Sequence, residues 1–370
     1  MKRSRRFRYA ATLSVLAVAL ALTAAACGGS STSSSGGSSS SSSPAASANS
    51  FVGAGSTFAQ PLYQAWGKDY QGVASVQVNY QGVGSTAGIT AIEAKTVQFG
   101  ATDAPLTAAD LQTNGLVQFP TAVGGTVPIV NLSGVAAGKL KLDGPTLAEI
   151  YLGKITKWND PAIAKLNPGL TLPAKGINVV HRSDGSGTSW IFTSYLSAVS
   201  PTWKSQIGAN TAPAWPVGTG GVKSAGVAAL VQQVSGSIGY VEYTYAQQNK
   251  ISTVMMTNAA GKTVAPTLSA FAAAAKNATW DANQGFAQPL VNEPGATAWP
   301  ITGATFALVQ KSQTDAAMAK AVLKFFDWGY KNGAATAQGL DYVPIPASVY
   351  NVVETQWAGI TASGTPVWPA

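Results

Sequence analysis

The chain carries the sequence HRSDGSGTSW at residues 181–190, a loop rich in glycine and hydroxyl groups. The β-branched pair Val179-Val180 predicts a strand before this loop, and the aromatic-rich residues 190–196 predict the start of a helix after it. At such a junction the backbone N–H groups and the positive end of the helix dipole point at one place, where an anion can bind. Arg182 adds a planar set of donors suited to tetrahedral oxyanions, and we expect Asp184 to hold that arginine in place.

The same order of strand, glycine–hydroxyl loop and helix occurs twice more. Residues 51–57 read FVGAGST, and residues 76–80 alternate like a strand before GVGSTAG at residues 82–88. In any one of these loops, the serine or threonine could simply cap the helix that follows. Three such loops that could converge on one point favour a binding site.

The composition describes a globular protein of low charge. With 370 residues the chain is long enough for two domains, and 46% of its residues are hydrophobic while only 10% are charged. The formal charge of +8 includes five basic residues among the first eight, so the rest of the chain carries only +3. No basic run follows those residues, which argues against a nucleic-acid partner.

Residues 1–26 predict a signal peptide, with a basic start, an apolar stretch and then small residues. Cys27, the only cysteine, follows three alanines and resembles the lipidated cysteine of a bacterial lipobox, although Ala24 stands where leucine is usual. Lipidation at Cys27 is therefore expected, and an ordinary signal peptide with an incidental cysteine is the alternative. The basic start also loosely resembles a twin-arginine signal, which leaves the export route open.

Residues 27–50 are almost entirely serine, glycine and alanine, a composition that predicts a linker between a lipid anchor and the folded body. No later stretch is long and apolar enough to cross a bilayer. The expected location is extracytoplasmic, attached to the bacterial cell membrane by lipid alone.

The folded body begins at Phe51. Leu62, Trp66 and Tyr70 repeat at helical spacing and predict a buried helix face. Residues 97–102 predict a short strand that ends at Asp103, a position where open α/β sheets bind ligands. Asp103 could equally be an N-cap or turn aspartate for a helix at residues 107–111.

The rest of the chain predicts an α/β protein of two lobes. Residues 119–130 are extended and could be a first crossing between the lobes, and residues 305–309 could return the chain to the first lobe. Residues 237–243 predict a strand, and residues 316–328 predict an amphipathic helix followed by an irregular tail.

The sequence lacks the groups that most hydrolases need. His181 is the only histidine and Cys27 the only cysteine, which excludes a histidine–cysteine zinc site. Neither a Gly-x-Ser-x-Gly elbow nor a Walker-type phosphate loop is present. His181 is expected to be a strand residue flanking the loop. These observations predict binding without turnover, and no cofactor.

Several segments together resemble one family along nearly the whole chain from Phe51: the phosphate-binding proteins of bacterial high-affinity phosphate ABC transporters. The matching segments are GAGSTF (53–58), NYQGVGS (79–85), FGATDAP (99–105), IYLGKI (150–155) with KW (157–158), RSDGSGTS (182–189), IGYVEY (238–243) and KFFDW (324–328). The resemblance implies a two-lobed periplasmic-binding-protein fold, type II-like, with the ligand in the cleft. Lobe 1 would comprise residues 51–123 and 286–370, and lobe 2 residues 124–285.

The resemblance also implies roles for single residues. Asp103 would accept a hydrogen bond from the protonated oxygen of phosphate, and Asp184 would orient Arg182. The expected phosphate donors are Thr57, Phe58 (through its backbone N–H), Ser85, Arg182, Ser186, Gly187 and Thr188. The implied partners are inorganic phosphate and the permease subunits, with the protein a monomer and not an enzyme.

Three alternatives stay open. The protein could be a receptor for another tetrahedral oxyanion, since Asp103 argues against sulfate but barely against arsenate. It could be a secreted phosphoester hydrolase on this scaffold, although it lacks a plausible nucleophile–base pair. It could also sense phosphate at the cell surface without transporting it.

Overall fold

The structure, a computed structural model, describes residues 48–369, and strands and helices alternate along them. The predicted signal peptide, the predicted lipidation site at Cys27 and nearly all of the predicted linker lie outside the described residues. The strands are β1 Ser50–Gly55, β2 Gln77–Gly82, β3 Phe99–Thr102, β4 Leu116–Asn131, β5 Lys141–Leu142, β6 Asn178–Arg182, β7 Thr219–Gly221, β8 Ser237–Glu242, β9 Ser252–Thr253, β10 Met255–Thr257, β11 Thr263–Val264, β12 Leu290–Val291, β13 Ile301–Gln310, β14 Ser312–Gln313, β15 Val343–Pro344, β16 Thr361–Ala362 and β17 Thr365–Pro366.

The helices carry the connections between these strands, with a short 3₁₀ turn at Ala282–Gln284. They are α1 Gln60–Ala74, α2 Ser85–Glu93, α3 Ala108–Asn114, α4 Gly144–Tyr151, α5 Pro161–Leu166, α6 Gly187–Val199, α7 Pro201–Gln206, α8 Lys223–Gln233, α9 Tyr243–Gln248, α10 Leu268–Ala275, α11 Ala316–Asn332, α12 Ala334–Gly339 and α13 Ala347–Trp357. The α/β class predicted from the sequence is confirmed.

Helix α1 shows how the sequence pattern becomes packing. Pro61 lies in its first turn, where the missing N–H costs nothing. Leu62, Trp66 and Tyr70 are all buried, as their spacing predicted. The helix ends at Ala74 and is followed by the C-cap residue Ser75, which adopts a left-handed conformation with φ of 56°.

One mixed sheet runs through the protein in the order β2-β1-β3-β13-β4-β8-β6-β7. Strands β2, β1 and β3 are parallel at one end, and β8, β6 and β7 are parallel at the other. The long strands β13 and β4 lie between these two sets and pair antiparallel. Each parallel set needs crossover helices, which is why helices alternate with strands.

The two parallel sets meet head to head because they flank different halves of β4. Strand β13 covers β4 from Leu116 to Gly125 and carries β3 on its other side, while β8 covers β4 from Thr126 to Asn131. The strands of the first set are therefore parallel to β4 and end near Thr126. The strands of the second set are antiparallel to β4 and end near the same residue. Carboxyl ends of both sets face each other there, the location at which open α/β sheets bind ligands.

The predicted lobe boundary falls inside β4. Residues 123 and 124 belong to the half of that strand that pairs with β13, and the pairing changes to β8 at Thr126. The boundary between the lobes stays a prediction, because the described residues form one compact unit.

Buried aromatic side chains fix the loop that follows β1. The ring of Tyr63 meets that of Tyr80 edge-on, with centroids 4.9 Å apart. The Tyr80 hydroxyl donates to the Ser56 carbonyl at 2.7 Å, and the Tyr342 hydroxyl donates to the Phe58 carbonyl. This loop is therefore held from both sides by the core.

The prediction of an irregular tail is wrong. Residues 347–357 form the helix α13, which buries Val349, Val353 and Trp357 at a spacing of four residues. Flanking prolines and glycines masked this periodicity in the sequence. Between residues 48 and 369, no helix combines the length and the apolar character that a membrane span needs.

Candidate anion-binding site

The three glycine–hydroxyl loops converge in the structure, as their shared pattern predicted. Each follows the carboxyl end of a strand, after β1, β2 and β6. The loop after β2 bonds directly to the loop after β6: Thr86 donates its backbone N–H to the Gly185 carbonyl at 3.3 Å, and Gly187 donates its N–H to Ser85 Oγ at 3.0 Å. The head-to-head arrangement of the strands thus brings residues a hundred positions apart into one site.

Arg182 lies at the centre of this site. It is the last residue of β6, and its side chain is 1% exposed. Its Nε donates to Asp184 Oδ1 at 2.7 Å, and its Nη2 donates to Asp184 Oδ2, so the two residues form a bidentate ion pair. Its Nη1 donates to Thr57 Oγ1, 3.2 Å away in the first loop. The guanidinium is therefore held in one orientation across the site.

Asp184 is positioned by more than the arginine. The backbone N–H of Lys223 also donates to its Oδ1, at 2.8 Å. Burial raises the pKa of Asp184, but the hydrogen bonds and charge of Arg182 outweigh this effect and hold the pKa below its usual value. Asp184 is thus a carboxylate that neutralises the arginine and fixes its geometry.

Asp103 follows β3 directly and is 1% exposed. Ser56 Oγ lies 2.6 and 2.7 Å from its two carboxylate oxygens. Burial raises the pKa of Asp103 to about 6, against the opposing hydrogen bond from Ser56 and the charge of Arg182. A buried carboxylate next to groups that donate hydrogen bonds to an oxyanion can accept a hydrogen bond from a protonated oxygen of that ligand. The position of Asp103 therefore suits a partly protonated anion.

The alternative role of Asp103 as a helix cap is wrong. Thr107 caps α3 instead, accepting from the backbone N–H of Asp110, while the Asp110 carboxylate accepts from the backbone N–H of Thr107. Asp103 is left with its carboxylate directed at Ser56 in the first loop.

The start of α6 contributes Ser186, Gly187 and Thr188. Ser186 is the N-cap of α6 and accepts from the backbone N–H of Ser189 at 3.2 Å, which leaves its own hydroxyl hydrogen available. Thr188 Oγ1 is buried, and the described residues offer it no hydrogen-bond partner. A buried hydroxyl without a protein partner is costly, and a bound oxyanion would satisfy it.

The other predicted donors lie in the same place. Ser85 is 1% exposed; its Oγ accepts from the N–H of Gly187 and, at 3.4 Å, from that of Asp103, so its hydrogen can point to a ligand. The backbone of Phe58 belongs to the first loop, while its ring packs on Tyr342. His181 lies in strand β6 as predicted, stacked on Trp215.

Two polar groups of the site, Glu242 and Ser224, were not predicted from the sequence. Glu242 ends β8 and is 1% exposed, and Ser224 lies at the start of α8. Ser224 Oγ lies 2.7 Å from Glu242 Oε2 and 3.0 Å from Thr57 Oγ1. The signal for Glu242 was an acid at the carboxyl end of a wholly buried strand. Among the described residues, no cluster of histidine, cysteine and acidic side chains is suited to hold a metal ion.

Fold and site together define a class of protein in which loops from two sets of parallel strands meet around a buried arginine and a buried carboxylate. The family model that describes the PBP superfamily domain matches residues 40–327. Among curated proteins, the phosphate-binding protein PstS of Xylella fastidiosa (strain 9a5c) is 50% identical over 306 residues, which cover 83% of this chain and 84% of the relative. PstS of Pasteurella multocida is 49% identical and covers 84% of this chain and 90% of the relative.

The chain therefore belongs to the PBP superfamily and, within it, to the family of the phosphate-binding protein PstS. Solved structures share the fold. A high affinity periplasmic phosphate-binding protein bound with phosphate has a TM-score of 0.67 at 23% identity and covers 86% of this chain and 95% of its own. A phosphate-binding protein from Stenotrophomonas maltophilia has a TM-score of 0.63 at 20% identity, with coverage of 86% and 96%. The predicted two-lobed fold is confirmed.

Proposed function

We propose that this protein binds inorganic phosphate outside the cytoplasmic membrane and delivers it to the permease of an ABC transporter. The observation that carries the proposal is the buried carboxylate of Asp103 next to Arg182 and the hydroxyl loops. Relatives at about half identity are named phosphate-binding proteins, and a structural neighbour is described as periplasmic and phosphate-bound. The protein belongs to a family of binding proteins and is not an enzyme.

Asp103 gives the site a physical basis for selecting phosphate. At neutral pH phosphate keeps at least one proton, which Asp103 can accept in a hydrogen bond, whereas sulfate keeps none. A sulfate oxygen would meet the carboxylate with no hydrogen between them. This buried like-charge contact disfavours sulfate, which can bind only when Asp103 is protonated. Because the pKa of Asp103 is about 6, its protonation costs about 1.4 kcal/mol at pH 7, so this contact rejects sulfate by about tenfold at pH 7 and about a hundredfold at pH 8.

The remaining ligands surround the anion from both sets of strands. Thr57, the Phe58 N–H and Ser85 would donate from the first two loops, and Arg182, Ser186, Gly187 and Thr188 from the third. Gly187 would have to redirect its N–H from Ser85 Oγ, where it now donates, to the ligand. Closure of the lobes around the ion would then be the signal that the permease detects.

The test is a calorimetric titration of the phosphate-stripped protein with phosphate and with sulfate, for the wild type and for Asp103→Asn. At pH 8 we expect tight phosphate binding in the wild type and sulfate binding that is weaker by at least about a hundredfold. In the variant, phosphate should bind more weakly or sulfate should begin to bind, because an amide N–H can face a sulfate oxygen. If a well-folded wild type binds neither anion, the proposed function is wrong.

Attachment to the membrane through lipid on Cys27, after removal of residues 1–26, is part of the proposal. The support is the small-residue run before the cysteine and the linker after it. Mass spectrometry of the N-terminal peptide should find a lipid-modified Cys27, and Cys27→Ser should release the protein from membranes. An unmodified Cys27 in membrane-bound protein would contradict this part.

A further inference from the structure

Glu242 is connected to the proposed phosphate ligand Thr57 by a chain of hydrogen bonds. Its Oε2 lies 2.7 Å from Ser224 Oγ, and Ser224 Oγ lies 3.0 Å from Thr57 Oγ1. Thr57 Oγ1 also accepts from Arg182 Nη1. The chain crosses from the end of β8, in the second parallel set of strands, to the loop after β1, in the first.

The direction of this chain decides whether Thr57 can donate to an anion, because each hydroxyl has only one hydrogen. If Glu242 is ionised, Ser224 donates to it and Thr57 donates to Ser224, so Thr57 has no hydrogen left for a ligand. If Glu242 is protonated, it donates to Ser224, and Ser224 donates to Thr57. Thr57 then accepts from both Ser224 and Arg182, and its own hydrogen is free to point at the anion.

The surroundings of Glu242 favour the protonated form. Its Oε1 is buried, and none of the described residues offers it a hydrogen-bond partner, which is far more costly for a carboxylate than for a neutral acid. Burial raises the pKa of Glu242 to about 7; the hydrogen bond from Ser224, the backbone N–H of Glu242 itself and the charge of Arg182 oppose this effect, and the charge of Asp103 adds to it. Tyr245 and Tyr342 also lie close enough to interact with its charge.

A cavity gives protons a route to this carboxyl group. It has a volume of about 330 Å³, and Thr57, Ser224 and Glu242 are among its lining residues. Lys223 lines it as well, and so do Gln64 and Gln248, which are exposed to solvent. The acid at the inner end of the hydroxyl chain can therefore exchange its proton with solvent.

We propose that Glu242 is a positioning residue that, in its protonated form, turns the Ser224 and Thr57 hydroxyls toward a bound oxyanion, so that binding takes up one proton from solvent at Glu242 Oε2. The inference rests on the proposed phosphate-binding function. The anion adds negative charge to a site that already holds Asp103 and Asp184, which further favours the neutral acid.

The test compares the wild type, Glu242→Gln and Ser224→Ala by titration with inorganic phosphate in buffers of different ionisation enthalpy, so that proton uptake is measured directly. The glutamine amide can donate to Ser224 at every pH and cannot ionise, so it mimics the protonated acid. Because phosphate and Asp103 can also change protonation on binding, the uptake at Glu242 is obtained as the difference in proton uptake between the wild type and the variant. Near pH 8, a group with a pKa of about 7 is about nine-tenths ionised before binding, so the wild type should take up close to one proton more than Glu242→Gln.

The same linkage predicts that Glu242→Gln binds phosphate about tenfold more tightly than the wild type near pH 8, with this gain disappearing toward pH 6. Ser224→Ala breaks the chain, so its proton uptake should fall below that of the wild type and should reflect only the charge of the anion. This variant serves as the second test if the glutamine variant does not fold. Equal proton uptake in all three proteins, or weaker binding by Glu242→Gln throughout this pH range, would overturn the inference while leaving phosphate binding intact. A wild type that binds no phosphate would instead overturn the proposed function.

Discussion

Replacing Asp103 by asparagine should stabilise the ligand-free protein at alkaline pH even as it damages the binding site. The side chain is fully enclosed, and its burial is the largest influence on its ionisation. A buried carboxylate that is kept for ligand recognition is a cost to folding whenever the ligand is absent. Asparagine keeps the shape and an acceptor oxygen for Ser56, but it cannot ionise.

The magnitude follows from the pKa of Asp103, which rises from 3.8 in an unperturbed chain to about 6 in the folded protein. Because the folded state holds this proton more tightly than the unfolded state, stability is lost as the pH rises from about 4 to about 6 and stays lost above that range. A rise of about two pKa units corresponds to about 3 kcal/mol. The stability of Asp103→Asn relative to the wild type should therefore increase by about 2–3 kcal/mol between about pH 4 and pH 8.

Urea unfolding in phosphate-free buffer at several pH values measures this difference. Comparing the variant with the wild type at each pH removes effects of the substitution that do not depend on protonation. Glu93→Gln is the matched control, since Glu93 is exposed at the end of α2 and its replacement should change stability by less than about 0.5 kcal/mol. A constant difference between Asp103→Asn and wild type, or one that falls as the pH rises, would refute the reasoning.

Three further predictions concern binding. Gly187→Ala would place a Cβ 2.6 Å from both Ser85 Oγ and the Asp103 backbone nitrogen, so it should leave the fold intact but weaken phosphate binding at least tenfold, whereas Gly72→Ala, with open space around it in α1, should bind normally. Sulfate binding should appear below about pH 6, because protonated Asp103 can donate to a sulfate oxygen, and competition titrations at acid and neutral pH will measure it. Raising the salt concentration tenfold should change the phosphate dissociation constant less than about threefold, because Arg182 is already paired, and a steep salt dependence in calorimetry would contradict this.

The loops of the site were predictable because their chemistry is local. A strand, glycines, hydroxyl residues and a helix start follow one another within ten residues, and Arg182 and Asp184 are two positions apart. Asp103 could be selected because a short buried strand ends directly before it. In each of these cases the residues that act together lie in one segment, or at the same kind of strand end.

The Glu242 chain could not be predicted in this way. Thr57 and Ser224 are separated by 167 positions, and only the packing of α8 against both β8 and β6 brings the serine between the acid and the threonine. A glutamate at the end of an apolar strand indicates burial but says nothing about its partner. Helix α13 was missed for the opposite reason, because its buried stripe is local but is flanked by prolines.

The charges in the site explain why hydrogen-bond direction should matter more than attraction. Arg182 is the only arginine beyond the first eight residues, and its charge is already matched by Asp184. The charge of Asp103 raises the pKa of Glu242, and burial raises the pKa of both carboxyl groups. A phosphate that arrives with one or two negative charges can be accommodated only if protons sit in the right places: one on the ligand facing Asp103, and one on Glu242 facing Ser224. The site is thus suited to distinguish anions by the hydrogens they carry, since their charge alone would favour none of them.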